Sequence, residues 1–388
     1  MTRRGYEGIA VAVPVTVPYE RYSTRGAPWF LGRVLAALMA ESGIDKDQID
    51  GLCVSSFSLS PDTAVGLTQH LGLSPRWLDH VPMGGASGVV AVRRAARAVQ
   101  AGDADIVACI SGDTNHVDSF RLMLGSFSAF ARDATWPYGS GGPNSMFAFI
   151  TAHTMRTHGA RREDFGKICM AQRQNALGIP HAMFKKPLTL DEYMGARVIA
   201  DPIHLFDCVM PCAGGDGVLV MSEARARDLG LPFARVLAAT ERHNAWRDDP
   251  IMVRGGWSVD RDELFGMAGL KPQDLDFVQF YDDYPVIVMM QYEGHGLCAE
   301  GEGAEYVRAH TLDCAGTMPT NTSGGQLSMG QAGASGGYLG LVEAVRQLTD
   351  RPLGAAVPDA KVGLVSGFGM ITYDRCLCTG GLILGRAQ

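Results

Sequence analysis

The sequence predicts an α/β protein made of two copies of one unit, and three observations carry that prediction. Apolar runs of strand length alternate with helical periodicity along the whole chain. The tetrad Gly85-Ala86-Ser87-Gly88 returns as Gly333-Ala334-Ser335-Gly336; each opens a helical pattern, and each helix leads to a strand containing Ser-Gly. A second echo follows in the same order, CAGGDGVLVMS at 212–222 and CTGGLILGR at 378–386, each a glycine-introduced strand closing its half. Glycine itself is abundant, 48 of 388 residues.

Taken in order, WFLGRVLAALMAESGI (29–44) has helical spacing and DQIDGLCVSSFS (47–58) reads as a strand. VVAVRRAARAVQAGDADIVACISGD (89–113) reads as a helix, a short turn and a buried strand. These elements divide the chain into a first half, 1–225, and a second half, 226–388. Residues 116–205 exceed an ordinary connection and read as an insertion in the first half. They carry Trp136-Pro137-Tyr138-Gly139, a helix from about Met146 to Thr157, and KKPLTLDEYMGARVIADP (185–202). A segment of this size is a lid over substrate or, alternatively, a structural elaboration or oligomer arm.

Composition removes several classes. With 34 Lys+Arg against 41 Asp+Glu and no basic block, the chain lacks the electrostatic footprint of a nucleic-acid binder. Pro14 and Pro18 break the first apolar run, which argues against a secretory signal, and no run approaches the length of a membrane span. Nine cysteines, an odd number without paired CxxC spacing, read as reduced thiols of a cytoplasmic protein and not as metal ligands. Isolated His116, His204 and His295 read as structural. Arg161-Arg162 and Lys185-Lys186 are either phosphate contacts or a solvated face. Two helices opened by glycine turns present paired N-termini, where N–H groups and the helix dipole favour anionic oxygen.

The segments GGASGVVAVRRAARAVQAGDADIVACISGD, PLTLDEYMGARVIADPIHLFDCVMPCAGGDGVLVMS, FYDDYP and NTSGGQLSMGQAGASGG, with the closing glycine-rich strands, resemble the thiolase superfamily over nearly the whole chain. The resemblance is to its sterol carrier protein thiolase and lipid-transfer-protein aldolase branch. It implies duplicated αβα halves stacked as a five-layered αβαβα sandwich. The family's chemical positions are all replaced. Gly85 stands where the family has its nucleophilic cysteine, and Tyr281-Asp282-Asp283-Tyr284 replaces the N-E-A-F or H-D-C-F segment. Gly330-Gln331-Ala332 replaces G-H-P, and Ser366-Gly367-Phe368-Gly369 has no C-x-G cysteine. Glycine offers no nucleophile and glutamine no base, so an acyl-enzyme is not expected here.

The resemblance implies retro-aldol cleavage of a β-hydroxyacyl-CoA, with coenzyme A entering as part of the substrate and no permanently bound cofactor. Tyr281 is expected as principal acid/base, Tyr338 as its partner and Asp283 as an orienting or relay group. Gln331, with backbone N–H groups at Gly85 and Gly369, is expected to hold the thioester oxygen. One of Asp282 and Asp283 is expected to cap the helix beginning near Pro285, the other to face the pocket. A homodimer, with a small OB-fold subunit completing a heterotetramer, is the implied assembly. Two other functions stay open: a thiolase-type C-acyltransferase using another nucleophile, and a non-catalytic acyl-CoA or lipid-binding subunit.

Overall fold

Along strand β1 (Ile9–Glu20), Ile9 and Val11 face one core while Ala10 and Ala12 face another, as the period of two dictates. This strand is the hinge of the architecture in the computed structural model, which describes residues 5–116, 133–140, 142–249, 251–372 and 375–387. Residues 117–132 of the expected insertion lie outside the described residues.

One set of strands runs in the order β3 (Trp77–His80), β2 (Gly51–Ser55), β4 (Ile106–Asp113), β7 (Ala213–Ser222), β1. A second set runs β9 (Phe277–Gln279), β10 (Val362–Thr372), β11 (Arg375–Arg386), β8 (Phe233–His243). The sets match pair for pair. β2/β4 and β9/β10 are parallel, and the next two pairings in each set are antiparallel. Where β3 flanks β2, the second set has only a parallel bridge from Val278 to Thr320. The short strands β5 (Val198–Ala200) and β6 (Ile203–His204) pair with each other apart from these. The two sets are not separate sheets. Ala10–Ala12 pair antiparallel with Phe233–Arg235, which joins them into nine strands.

Three helical layers complete five. α1 (Ala27–Ser42) and α2 (Ala64–Leu71) cover the outer face of the first set, where Phe30, Leu31 and Val34 meet Leu52, Ile110 and Leu219. Between the sets lie α3 (Ser87–Ala101) and the last helix, α8 (Gly336–Leu348), burying Val89, Val92, Leu341 and Val345 against both. α6 (Trp257–Ala268) and α7 (Pro285–Gly294) cover the outer face of the second set. α4 (Pro143–His158) and α5 (Arg162–Ala176), from the inserted region, join that same outer core through Phe147, Phe165 and Ile168. The expected five-layered sandwich is therefore present, and the helix expected from about Met146 is α4.

The repeated tetrad has a packing reason. A Cβ at Gly88 would lie 2.2 Å from the Gly337 carbonyl oxygen, and one at Gly337 would lie 2.6 Å from that of Gly84. The two central helices thus touch backbone to backbone at their first turns, a contact only glycine allows. The strand expected over 47–58 is shorter, because Lys46–Gln48 form a helical turn and the chain leaves the sheet after Ser55. It leaves to meet Asp113, whose carboxylate accepts from the Phe57 and Ser58 backbone N–H groups. Among the described residues no helix is long and apolar enough to cross a membrane, and no cluster of three or more metal-ligating side chains occurs.

Candidate active site

Each of the candidate residues is fixed by the element that carries it. After β9 the chain runs through Phe280–Tyr284 before Pro285 opens α7, and this crossing is clamped at its backbone. Asn321 Oδ1 accepts the Phe280 N–H at 2.6 Å. Gln291, inside α7, accepts the Tyr281 N–H at 3.2 Å and donates to the Tyr281 carbonyl at 2.7 Å. The Tyr281 ring therefore has little freedom, and it stacks on Phe368 with centroids 6.2 Å apart.

On its other side the ring fills the space a side chain at position 85 would occupy. A Cβ built on Gly85 would fall 1.9 Å from Tyr281 Cε2 and 2.1 Å from Cδ2. A nucleophilic side chain at 85 and this tyrosine exclude one another. Gly369 is required for a related reason, since a Cβ there would lie 1.7 Å from the Met83 carbonyl oxygen in the loop leading to Gly85.

Gln331 converges on the same point. Its backbone is held between Met210 and Cys212, through Gln331 N–H to Met210 O and Cys212 N–H to Gln331 O, both 2.9 Å. Its amide nitrogen donates to Tyr281 Oη at 3.0 Å and to Asp283 Oδ1 at 2.6 Å. Both hydrogens of the amide are thereby used inside the protein, so Gln331 is a clamp on Tyr281 and Asp283, not the expected donor to a thioester oxygen.

Electrostatics separates the roles of the trio. Burial, and then the Asp283 charge, holds the Tyr281 phenol well above its ordinary range. Burial pushes Asp283 up to about 7, with Tyr281 pulling down and Asp282 pushing up. At neutral pH the phenol keeps its proton, and the carboxylate is the group able to accept one.

Asp282 and Asp283 divide the work in an unexpected way. Asp283 lines the cavity, whereas Asp282 accepts the backbone N–H groups of Gln326 (2.9 Å) and Leu327 (3.2 Å), capping the short helix Gly325–Met329. The helix at Pro285 has Tyr284 at its N-cap instead.

Tyr338 is not part of this arrangement. It is fully buried in the core between the strand sets, with its hydroxyl 3.2 Å from Ser55 Oγ. As the third residue of α8 it points across to β2 and not into the cavity, so the expected second acid/base tyrosine is a core residue.

The cavity that the trio faces has a volume of about 840 Å³. Gly85, Gln331 and Gly369 line it, together with apolar groups such as Phe184, Phe206, Leu327 and Phe368. One wall comes from the expected insertion, through Asn144, Arg173, Phe184 and Arg197. Tyr284 also lines it, its hydroxyl donating to Asn144 Oδ1 at 2.5 Å and its ring stacked on Phe147. Arg161, Arg162, Lys185 and Lys186 are not on its wall. Arg161 pairs with Asp164, Arg162 lies over the Tyr193 ring, and Lys185 donates to the Pro180 carbonyl.

The second helix N-terminus is already occupied by the protein's own anion. Asp113 Oδ2 accepts from Ala334 N–H at 2.7 Å, and Oδ1 accepts from Ser56 Oγ at 2.8 Å and Ser58 N–H at 2.7 Å. Both N-termini border the cavity, at Gly85 and at Gly333, and the second is the one met by Asp113. Ser87 is unavailable as a nucleophile, because its hydroxyl accepts from Met83 N–H and donates to Val81 O, both 3.0 Å. Cys208 and Cys212 line the cavity, but burial pushes Cys208 up to about 12 and Cys212 well above its ordinary value, leaving both as unreactive thiols. His295 is buried and lowered to about 3 by desolvation, with Nε2 2.9 Å from Ser366 Oγ. His204 contacts the Ala196 carbonyl at 2.6 Å through Nδ1.

Sequence reasoning missed Asp113, Tyr284, Asn144 and Arg173. Asp113 carried a signal, since it ends the strand that follows the first tetrad. Tyr284 carried one too, closing the segment that Tyr281 opens, whereas Asn144 and Arg173 approach the site only through folding of the insertion.

A five-layered duplicated sandwich with a cavity at its paired central helices defines a thiolase-type enzyme. Residues 238–379 match the family model described as Thiolase C-terminal domain-like. The chain is 30% identical over 369 residues to the steroid side-chain-cleaving aldolase of Thermomonospora curvata, covering 91% of each. It is also 30% identical over 374 residues to the 17-hydroxy-3-oxo-4-pregnene-20-carboxyl-CoA lyase of Mycobacterium tuberculosis, covering 91% of this chain and 92% of that one. The solved Ltp2-ChsH2(DUF35) aldolase superposes with a TM-score of 0.84 at 27% identity, covering 98% of each chain. The chain belongs to the thiolase superfamily, in its sterol carrier protein thiolase and aldolase branch.

Proposed function

We propose that this protein cleaves the Cα–Cβ bond of a β-hydroxyacyl-CoA by a retro-aldol reaction. The observation that carries the proposal is the exchange at the nucleophile position. The Tyr281 ring occupies the room of the missing side chain at Gly85, and Tyr281 is joined to a carboxylate poised near 7.

The reaction needs a base, a proton path and a place for an enolate, and no covalent attachment to the enzyme. The β-hydroxyl proton passes to Tyr281 Oη as the tyrosine's own proton passes to Asp283. The Cα–Cβ bond breaks, leaving a carbonyl at Cβ and the enolate of the shortened acyl-CoA. The proton then returns from Asp283 through Tyr281 to the α-carbon, which restores the enzyme. Gln331 holds both groups in register, and the Gly85 helix terminus stands beside the developing enolate. The Gly369 backbone is proposed to share in that stabilisation.

The relatives named above cleave steroid side chains or a pregnene carboxyl-CoA, which supports a bulky acyl chain here and fits the largely apolar cavity. The assembly of the solved aldolase with a DUF35 subunit supports a similar small partner for this chain; a homodimeric core and a cytoplasmic location are proposed alongside it. A C-acyltransferase is disfavoured by the raised thiols at Cys208 and Cys212. A purely binding subunit leaves the Tyr281–Asp283–Gln331 network without a purpose. The test is incubation with a panel of β-hydroxyacyl-CoAs, with and without a DUF35-type partner, following a released ketone or aldehyde and a shortened acyl-CoA. Binding without turnover of any member in the reconstituted complex would defeat the proposal.

A further inference from the structure

Arg173, on α5, lines the same cavity and is only 6% exposed, yet the described residues give it no hydrogen bond or ion pair. Its Nε is buried without a partner. What surrounds it is apolar. The guanidinium lies 4.2 Å over the Phe184 ring and 5.9 Å from that of Phe206. The thiol Cys169 and the charge of Glu192 are the other influences on it, both favouring its charged form, and Glu192 is itself exposed and hydrogen-bonded to Thr189. Desolvation therefore works against its charge, but an arginine does not deprotonate in a protein. A cation largely withdrawn from water and without a hydrogen-bonded anion is costly for a fold to keep. Its retention on a cavity wall is explained by a ligand that brings the anion.

We propose that Arg173 binds a carboxylate carried on the acyl portion of the substrate, remote from the thioester, so that the preferred substrates are acyl-CoAs with a second acid group. Two features favour a carboxylate over the phosphates of coenzyme A. Arg21 and Arg197 line the same cavity in exposed positions, where phosphates keep their hydration. Arg173 instead stands between aromatic rings, and its planar fork matches a carboxylate at two points. Phe184 is anchored beside the catalytic strip, its N–H donating to Ser328 O three residues before Gln331. The acid group is thereby recognised in the chamber where the carbon–carbon bond is cleaved. This inference rests on reading the cavity as an acyl-CoA site.

Binding without turnover tests it. Calorimetry would compare succinyl-, glutaryl-, adipyl- and suberyl-CoA with the monocarboxylyl-CoAs of equal carbon number, and with coenzyme A alone, on the native chain and on Arg173→Met. The native chain is expected to prefer at least one dicarboxylyl member by about tenfold or more, the range of a charge-assisted hydrogen bond. Arg173→Met should abolish that preference, leave affinity for coenzyme A and the monocarboxylyl series unchanged, and melt no lower than the native chain. No preference at any length, or an equal weakening of coenzyme A itself, overturns the proposal. Absence of aldol cleavage with preserved dicarboxylate preference would defeat the proposed reaction and leave Arg173 in place; cleavage without the preference would do the reverse.

Discussion

Replacing Gly85 with alanine is the smallest change that probes the exchange of nucleophile for tyrosine. The added Cβ falls 1.9–2.3 Å from three Tyr281 ring atoms, where ordinary contact is about 3.5–4 Å. The ring must therefore retreat by roughly 1.5 Å, against Phe368 on its far face and a backbone clamped by Gln291. Such a shift stretches the 3.0 Å hydrogen bond between Gln331 and Tyr281 Oη beyond bonding range. The backbone at 85 is outside the left-handed region, so the penalty is steric and corresponds to overpacking, about 1–3 kcal/mol. Loss of the positioned proton carrier should lower kcat by about 10²–10⁴. Denaturant unfolding and steady-state cleavage of a β-hydroxyacyl-CoA measure the two effects. Tyr281→Phe should match the activity loss while costing only about 1 kcal/mol in stability. The double variant Gly85→Ala/Tyr281→Ala should be more stable than the sum of its parts predicts, with a coupling of about 0.5–3 kcal/mol. Native stability with full activity in Gly85→Ala, or strict additivity in the double variant, would refute the reasoning.

Three further outcomes follow from the same geometry. Because Asp283 must be ionised to accept a proton, kcat/KM should rise with pH through about 7, and Asp283→Asn should flatten that limb along with most of the activity. Gln331→Ala removes an N–H donor that favours the charged form of Asp283, so its limb should move to higher pH, with kcat reduced and KM nearly unchanged. Tyr338→Phe should keep its activity and lose no more than about 1 kcal/mol, measured by turnover and chemical denaturation, because among the described residues its hydroxyl bonds to Ser55 alone.

Much of the fold was legible because it rests on local patterns that repeat. The two GASG tetrads, the strand endings and the glycine-introduced closing strands each map onto paired elements of the two strand sets. The pairing of β1 with β8 was hidden, since strand partners chosen across more than 200 residues leave no local trace. The site was legible where chemistry and segment coincide, at Gly85, Tyr281, Asp283 and Gln331, which the fold brings into one cluster. Tyr338 misled because closeness to a helix start says nothing about which face a side chain takes; the third residue of α8 faces the central core. Arg173 gave no signal at all, since an arginine in an amphipathic helix reads as solvated until the burial around it is known. Asp282 illustrates a third kind of failure. A cap was expected from one of Asp282 and Asp283 for the helix at Pro285, but the helix that Asp282 caps lies 44 residues on, joined by tertiary contact and not by sequence.

Proton transfer through Tyr281 and Asp283, without an acyl-enzyme, is the proposed course of carbon–carbon cleavage. Turnover of a β-hydroxyacyl-CoA in deuterated water, with and without an added DUF35-type subunit, tests it most directly. Mass spectrometry should show equimolar carbonyl product and shortened acyl-CoA, one solvent deuterium on the α-carbon of the latter, and unmodified protein throughout. An acyl adduct on any cysteine during turnover, or products that persist undiminished in Tyr281→Phe, would contradict it.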